Sequence, residues 1–225
     1  MGHAEAKPMT IAVDATTRVS ALFVQGAKNK SLFVFAPGAG AGITHAFMEE
    51  VAAGLAERDI ATLRYQFPYM ERGSSRPDPP AVCHATVHAA VQEAARRLPG
   101  VPLFAGGKSF GGRMTSQAQA SSPLPGVRGI LFLGFPLHLA KKPATSRADH
   151  LSGVGIPMLF LQGTRDELAD MTLLEPVTRK LGSLATLGRI EAADHGFHVL
   201  VRSGRTNAQV MSELLDKISA WIANR

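Results

Sequence analysis

The chain has 225 residues, 45% hydrophobic, 19% charged and 6% aromatic, with 22 glycines and 14 prolines. That apolar content excludes a disordered polyelectrolyte, the length suits one domain with a sizeable core or two small ones, and scarce aromatics with many turn formers favour an α/β protein over a helical bundle. The formal charge of +6 sits on scattered pairs (Lys28 and Lys30, Arg96 and Arg97, Lys141 and Lys142) without interleaved aromatics, which argues against nucleic acid as partner and for a solvated basic surface with mild attraction for anionic substrates.

Residues 1–8 are polar and are expected to be flexible. They lack the apolar region of a signal peptide, and no uninterrupted apolar stretch approaches the ~20 residues of a membrane span, so a cytoplasmic protein without a membrane partner is expected. Cys83 is the single cysteine, which excludes an intrachain disulfide and a cysteine-rich metal site; no metal and no cofactor are expected.

In chain order, residues 9–14 and 18–25 alternate between apolar and polar and read as an antiparallel pair at a sheet edge. Such an edge can be solvated or can pair in a homo-oligomer. Residues 31–36 are apolar throughout, as in a strand buried on both faces. A glycine-rich turn, Pro37-Gly38-Ala39-Gly40, leads to a helix over 44–58, and residues 60–65 form the next strand. The prolines of 66–80 predict a loop there. A helix over 81–98 and a strand over 101–105 lead to Gly106-Gly107-Lys108-Ser109-Phe110-Gly111-Gly112, and then a helix to about 120. Further strands are predicted over 127–133, 156–162 and 184–190, with helices over 171–181 and 207–223. Strand and helix alternate from residue 31 onward, so one mostly parallel sheet with helices on both faces and an antiparallel N-terminal edge is expected. Such sheets present functional groups beyond the C-terminal ends of their strands.

The strand, sharp turn and helix around Gly107-Lys108-Ser109-Phe110-Gly111 have the pattern of a nucleophile elbow, G-x-S-x-G, with Ser109 at its apex. The alternative is a glycine-rich junction whose serine caps the helix. Gly107-Lys108-Ser109 also resembles the end of a phosphate-binding loop, but that spacing requires glycine where Pro102 stands. Asp166 follows a strand in the tight turn Gly163-Thr164-Arg165-Asp166; Glu167 and Asp170 are rivals, and Asp170 is the better helix cap. His195 follows the last strand in Asp194-His195-Gly196, with His198 as its rival. The order Ser109, Asp166, His195 is that of the α/β hydrolases. In this reading Ser109 is the nucleophile, His195 the base and Asp166 its orienting acid, while the N–H groups of Ala39 and Phe110 form an oxyanion hole.

The chain resembles the α/β-hydrolase superfamily over its whole length, and within it a group of compact, dienelactone-hydrolase-like proteins. The resemblance is carried by Ala36-Pro-Gly-Ala-Gly-Ala41, Phe67-Pro-Tyr-Met-Glu-Arg-Gly73, Gly107-Lys-Ser-Phe-Gly-Gly-Arg-Met114, Gly134-Phe-Pro-Leu-His138, Gln162-Gly-Thr-Arg-Asp166 and Asp194-His-Gly-Phe197. It implies an α/β-hydrolase fold over 1–225 as a single domain. True dienelactone hydrolases carry a cysteine nucleophile where this chain has Ser109. Relatives include a subunit of a chromatin acetyltransferase complex, which keeps a second expectation open: an interaction module of the same fold with little turnover.

Phe67 and Tyr69, with Met70 and Arg72, could line an acyl pocket or shield it. Arg113 could bind a substrate carboxylate or form a structural salt bridge, and His45 and His138 could be rim or capping groups. The 135–153 connection is long enough for a small lid element and too short for a large cap domain, so an open site for a small acyl substrate is expected. The leading expectation is a serine hydrolase acting on esters or related acyl bonds.

Overall fold

In a computed structural model that describes residues 5–225, eight strands form one sheet in the order β1-β2-β4-β3-β5-β6-β7-β8. The strands are β1 (Lys7–Ala12), β2 (Arg18–Val24), β3 (Ser31–Ala36), β4 (Ile60–Tyr65), β5 (Leu103–Lys108), β6 (Val127–Leu133), β7 (Met158–Gly163) and β8 (Ala185–Ile190). β1 runs antiparallel to β2 and β2 antiparallel to β4, and every later pairing is parallel. Lys7 and Pro8 pair with Phe23 and Leu22. The expected flexible lead-in therefore does not extend to them, because the ladder of β2 captures their backbone; residues 1–4 lie outside the described residues.

Side-chain alternation divides the core. Leu32 and Val34 of β3 face one side of the sheet, where α3 (Pro80–Arg97), α4 (Phe110–Ser121) and α5 (Met171–Lys180) pack. Phe33 and Phe35 face the other, covered by α1 (Ala46–Ala56) and α6 (Asn207–Ala223). β3, β4 and β7 are buried at every position, so β3 and β7 read as largely apolar runs with little alternation, while β4 also buries Thr62 and Arg64. The α6 helix begins on a capping box between Thr206 and Gln209, the reciprocal satisfaction of N-terminal donors that sets a sharp helix start.

Two expectations need correction. The 66–80 segment contains a one-turn helix, α2 (Pro68–Glu71). Pro68 opens it and Pro80 likewise opens α3, since a fixed φ and a missing N–H cost nothing in a first turn. The 135–153 connection does not form a lid. Its 3₁₀ segment, Ser146–Gly153, lies against α4 and buries Ala148 and Leu151 in the core. Among the described residues, no helix is long and apolar enough to cross a membrane.

Candidate active site

Ser109 lies between β5 and α4 at φ 49°, ψ −114°, a backbone conformation that costs a non-glycine residue about 1–3 kcal/mol and persists only where the surroundings enforce it. The flanking glycines supply that enforcement. A Cβ on Gly107 would stand 2.4 Å from the Ala36 carbonyl oxygen, and one on Gly111 would stand 2.4 Å from that of Pro37. The elbow is therefore pressed against the end of β3, which brings the Ala39 loop beside it. Ser109 makes no capping bond with its side chain, so the reading of a serine that merely caps a helix fails.

Ser109 Oγ lies 2.8 Å from His195 Nε2, and His195 Nδ1 lies 2.6 Å from Asp166 Oδ2. The Asp166 side chain is fully buried, and it is well supplied with donors. Gln162 Nε2 donates to Oδ2 at 2.5 Å and the Leu168 N–H donates to Oδ1 at 2.8 Å. Gln162 in turn accepts from the Phe135 N–H at 2.8 Å. A carboxylate so held can only accept, which leaves the Nδ1 proton of His195 on its side and the Nε2 lone pair toward Ser109. Asp170 caps α5, accepting from the Thr172 N–H at 2.8 Å, and so takes the role that would have competed for Asp166. The His195 loop is shaped by Asp194, whose Oδ1 accepts from the N–H groups of Gly196 (2.8 Å) and His198 (2.9 Å). His198 is exposed, with Nδ1 3.8 Å from Asp194 Oδ1, and makes no contact with Ser109 among the described hydrogen bonds.

Among the described residues, neither the Ala39 nor the Phe110 N–H donates to a protein acceptor. Both stay free for a ligand, and the Phe110 N–H belongs to the positive end of α4. Ala39 is tied through its following peptide, because Tyr69 Oη donates to its carbonyl at 2.8 Å. Arg64 Nη1 donates to the Ile43 carbonyl at 2.6 Å and Gln66 Oε1 accepts from the Ile43 N–H at 3.3 Å. These three residues at the end of β4 and in α2 hold the glycine-rich turn.

A cavity of about 460 Å³ opens on Ser109 and His195. Its walls are Ala39, Phe47, Met48, Phe197 and Met211, with Lys108, His45, Glu50, His198 and Asn207 as its polar groups. His45 caps α1, its Nδ1 accepting from the Phe47 N–H at 3.3 Å, and is a rim residue as well.

Phe67, Tyr69, Arg113 and His138, the candidates for contact with a substrate, do not line this cavity. Phe67 and Tyr69 are fully buried and pack edge-on against Phe110, with centroids 5.5 and 6.3 Å away; they shield the elbow and brace Ala39. His138 is 4% exposed and sits behind the acid loop, accepting from the Asp170 N–H at 2.8 Å and bonding the Leu139 carbonyl through Nδ1 at 2.9 Å. Arg113 lies over the Phe110 ring at 5.8 Å. It has no carboxylate partner among the described residues, so the salt-bridge alternative fails too, and burial, with Arg147 nearby, holds its guanidinium below the usual range. Lys108 and Gln162 were not anticipated in the site. Gln162 could have been singled out as the one polar residue closing the apolar run of β7, four positions before Asp166.

A sheet of this order, carrying a serine elbow after β5, an acid after β7 and a histidine after β8, defines an α/β hydrolase. The sequence profile of the alpha/beta hydrolase domain matches residues 29–223, and the chain belongs to that family. Among solved structures, a dienelactone hydrolase from Anabaena variabilis superposes with a TM-score of 0.79 at 18% identity, over 99% of each chain. An α/β serine hydrolase without a lid from Xanthomonas campestris gives a TM-score of 0.75 at 19% identity, over 96% of this chain and 95% of that one. Est1E from Butyrivibrio proteoclasticus, in a structure with ferulic acid bound, gives 0.69 at 17% identity over 94% of this chain and 99% of that one. At these identities the likenesses establish the fold, and family membership supports hydrolase activity.

Proposed function

We propose that the protein is a serine hydrolase that cleaves a carboxylic ester or related acyl bond of a small substrate through an acyl-enzyme. The observation that carries this reading is the hydrogen-bonded line Ser109–His195–Asp166 at 2.8 and 2.6 Å, with the serine held at positive φ. In this mechanism His195 Nε2 takes the proton of Ser109 Oγ as the oxygen attacks the acyl carbon, and Asp166 stabilises the imidazolium that forms. The N–H groups of Ala39 and Phe110 receive the developing oxyanion, each such donor being worth ~10²–10³ in rate. His195 then gives the proton to the leaving oxygen, and water repeats the sequence to release the acid. A cavity of about 460 Å³ falls in the range of small-molecule sites.

The competing reading, an interaction module with little turnover, calls for a misassembled triad or a filled pocket, and the open cavity beside an aligned serine and histidine weighs against it. The test is labelling with a fluorophosphonate probe followed by peptide mapping. Labelling confined to Ser109, together with hydrolysis of short p-nitrophenyl esters, is the expected result. Folded protein that takes no label would sink the proposal.

A further inference from the structure

Lys108 closes β5 immediately before Ser109, and its side chain reaches across to the loop that carries the base. Lys108 Nζ donates to the backbone carbonyl of His195 at 2.6 Å. The same ammonium stands 5.9 Å from the ring centroid of Phe47 and 5.5 Å from that of Phe197. Those two rings stack on each other at 5.7 Å with planes 10° apart, and both line the cavity. At the end of β6, Gly134 leaves the space that this arrangement needs. A Cβ there would lie 3.2 Å from Lys108 Nζ and 3.4 Å from the His195 ring. One cation thus joins the elbow, the cavity wall and the backbone from which the imidazole hangs.

We infer that Lys108 is a positioning residue for the reaction proposed above: its protonated ammonium anchors the His195 carbonyl and keeps the imidazole in line with Ser109. The inference rests on that functional reading. The anchor is a charge-assisted hydrogen bond reinforced by aromatic faces, and both contributions require the proton. The charged groups that act on Lys108 are Asp166 and Asp194, which favour its protonated form, while Glu50, His45 and His198 share the cavity with it. Burial outweighs the carboxylates and takes the ammonium down to about 8. Below that pH the anchor is charged; above it the amine is neutral and the bond to the carbonyl weakens. Turnover should therefore fall on the alkaline side through a group that is neither the nucleophile nor the base.

The experiment compares wild type, Lys108→Met and Lys108→Arg on p-nitrophenyl acetate, a neutral ester, from about pH 6 to 10, with fluorophosphonate labelling of each. Lys108→Met is expected to lower kcat by about 10- to 100-fold with little change in KM, the scale of a misplaced reacting group, and to lose the alkaline limb. Lys108→Arg, whose charge persists across this range, should retain most of the activity and extend it above pH 8. If Lys108→Met does not fold, the Lys108→Arg profile carries the test alone, and an unchanged alkaline limb in that variant overturns the inference. A folded Lys108→Met enzyme with wild-type kcat overturns it too, as does a loss confined to KM. Wild-type protein that takes no label overturns the functional reading itself, so the two failures are distinguishable.

Discussion

Two serine–histidine pairs lie on α4 or at its start, and they have the same Oγ···Nε2 distance: 2.8 Å for Ser109 and His195, and 2.8 Å for Ser116 and His150. Everything around them differs. Behind His195 stands the buried carboxylate of Asp166, whereas His150 has a backbone hydrogen bond at Arg147 and the Arg113 guanidinium nearby. Burial, followed by Arg113, pushes His150 down to about 4. Ser109 sits on a strained turn facing a cavity with two free N–H groups, whereas Ser116 is buried in mid-helix with its hydroxyl bonded to the Arg113 carbonyl at 3.0 Å. A serine within reach of a histidine is therefore not by itself a catalytic arrangement. An acid that stabilises the charged ring, room for a carbonyl, and donors for its oxygen make the difference in chemistry.

The contrast can be attacked at both ends. Ser109→Ala should reduce ester turnover by about 10⁶-fold, measured as kcat on a short p-nitrophenyl ester, while Asp166→Asn, which spoils the tautomer and the imidazolium, should cost about 10⁴-fold. Equal activity in wild type and Ser109→Ala would erase the distinction between the pairs. The next effect appears in stability. His150 takes up a proton near 6.5 when unfolded and only near about 4 in the native state, so between those values the unfolded chain binds more protons and acid favours unfolding. Stability should fall as pH drops from 6.5 towards 4, and His150→Gln should flatten that limb by a few degrees in Tm, on the order expected for a chain of this size. Ser116→Ala should change least: turnover within about twofold, and a stability loss of about 1–2 kcal/mol for the lost contacts to the Arg113 carbonyl and His150, read from urea denaturation.

The convergence of Ser109, His195 and Asp166 was legible in the sequence because their signal is local. Ser109 and Asp166 each follow a run that reads as a buried strand, and His195 follows the half-exposed edge strand β8, so each stands just past a strand end. Parallel sheets gather such turns at one end, so order along the chain translated directly into convergence. The cavity was not legible for the opposite reason. Its walls come from α1, α6 and the loop after β8, and nothing in the periodicity of Phe47 or Met211 tells which sheet face its helix will cover. Phe67 and Tyr69 stay ambiguous in the sequence because an aromatic pair beside a strand end looks the same whether it faces ligand or braces the turn behind it. The Pro68–Glu71 turn is hidden in the sequence because a proline breaks a helix everywhere except in its first turn. Arg113 has no signature at all, since the presence or absence of a partner carboxylate is decided by tertiary packing.

The sheet order also determines when Ser109 can meet His195. β8 pairs only with β7 at the edge of the sheet, and Ser109 meets His195 across 86 residues of chain. Parallel pairings of this kind close large loops before they return any stabilisation, and they form late for that reason. A chain folded only as far as β6 would carry the elbow with neither Asp166 nor His195 beside it. Under the proposed mechanism, covalent capture of Ser109 during refolding would serve as a clock for the docking of the last strand.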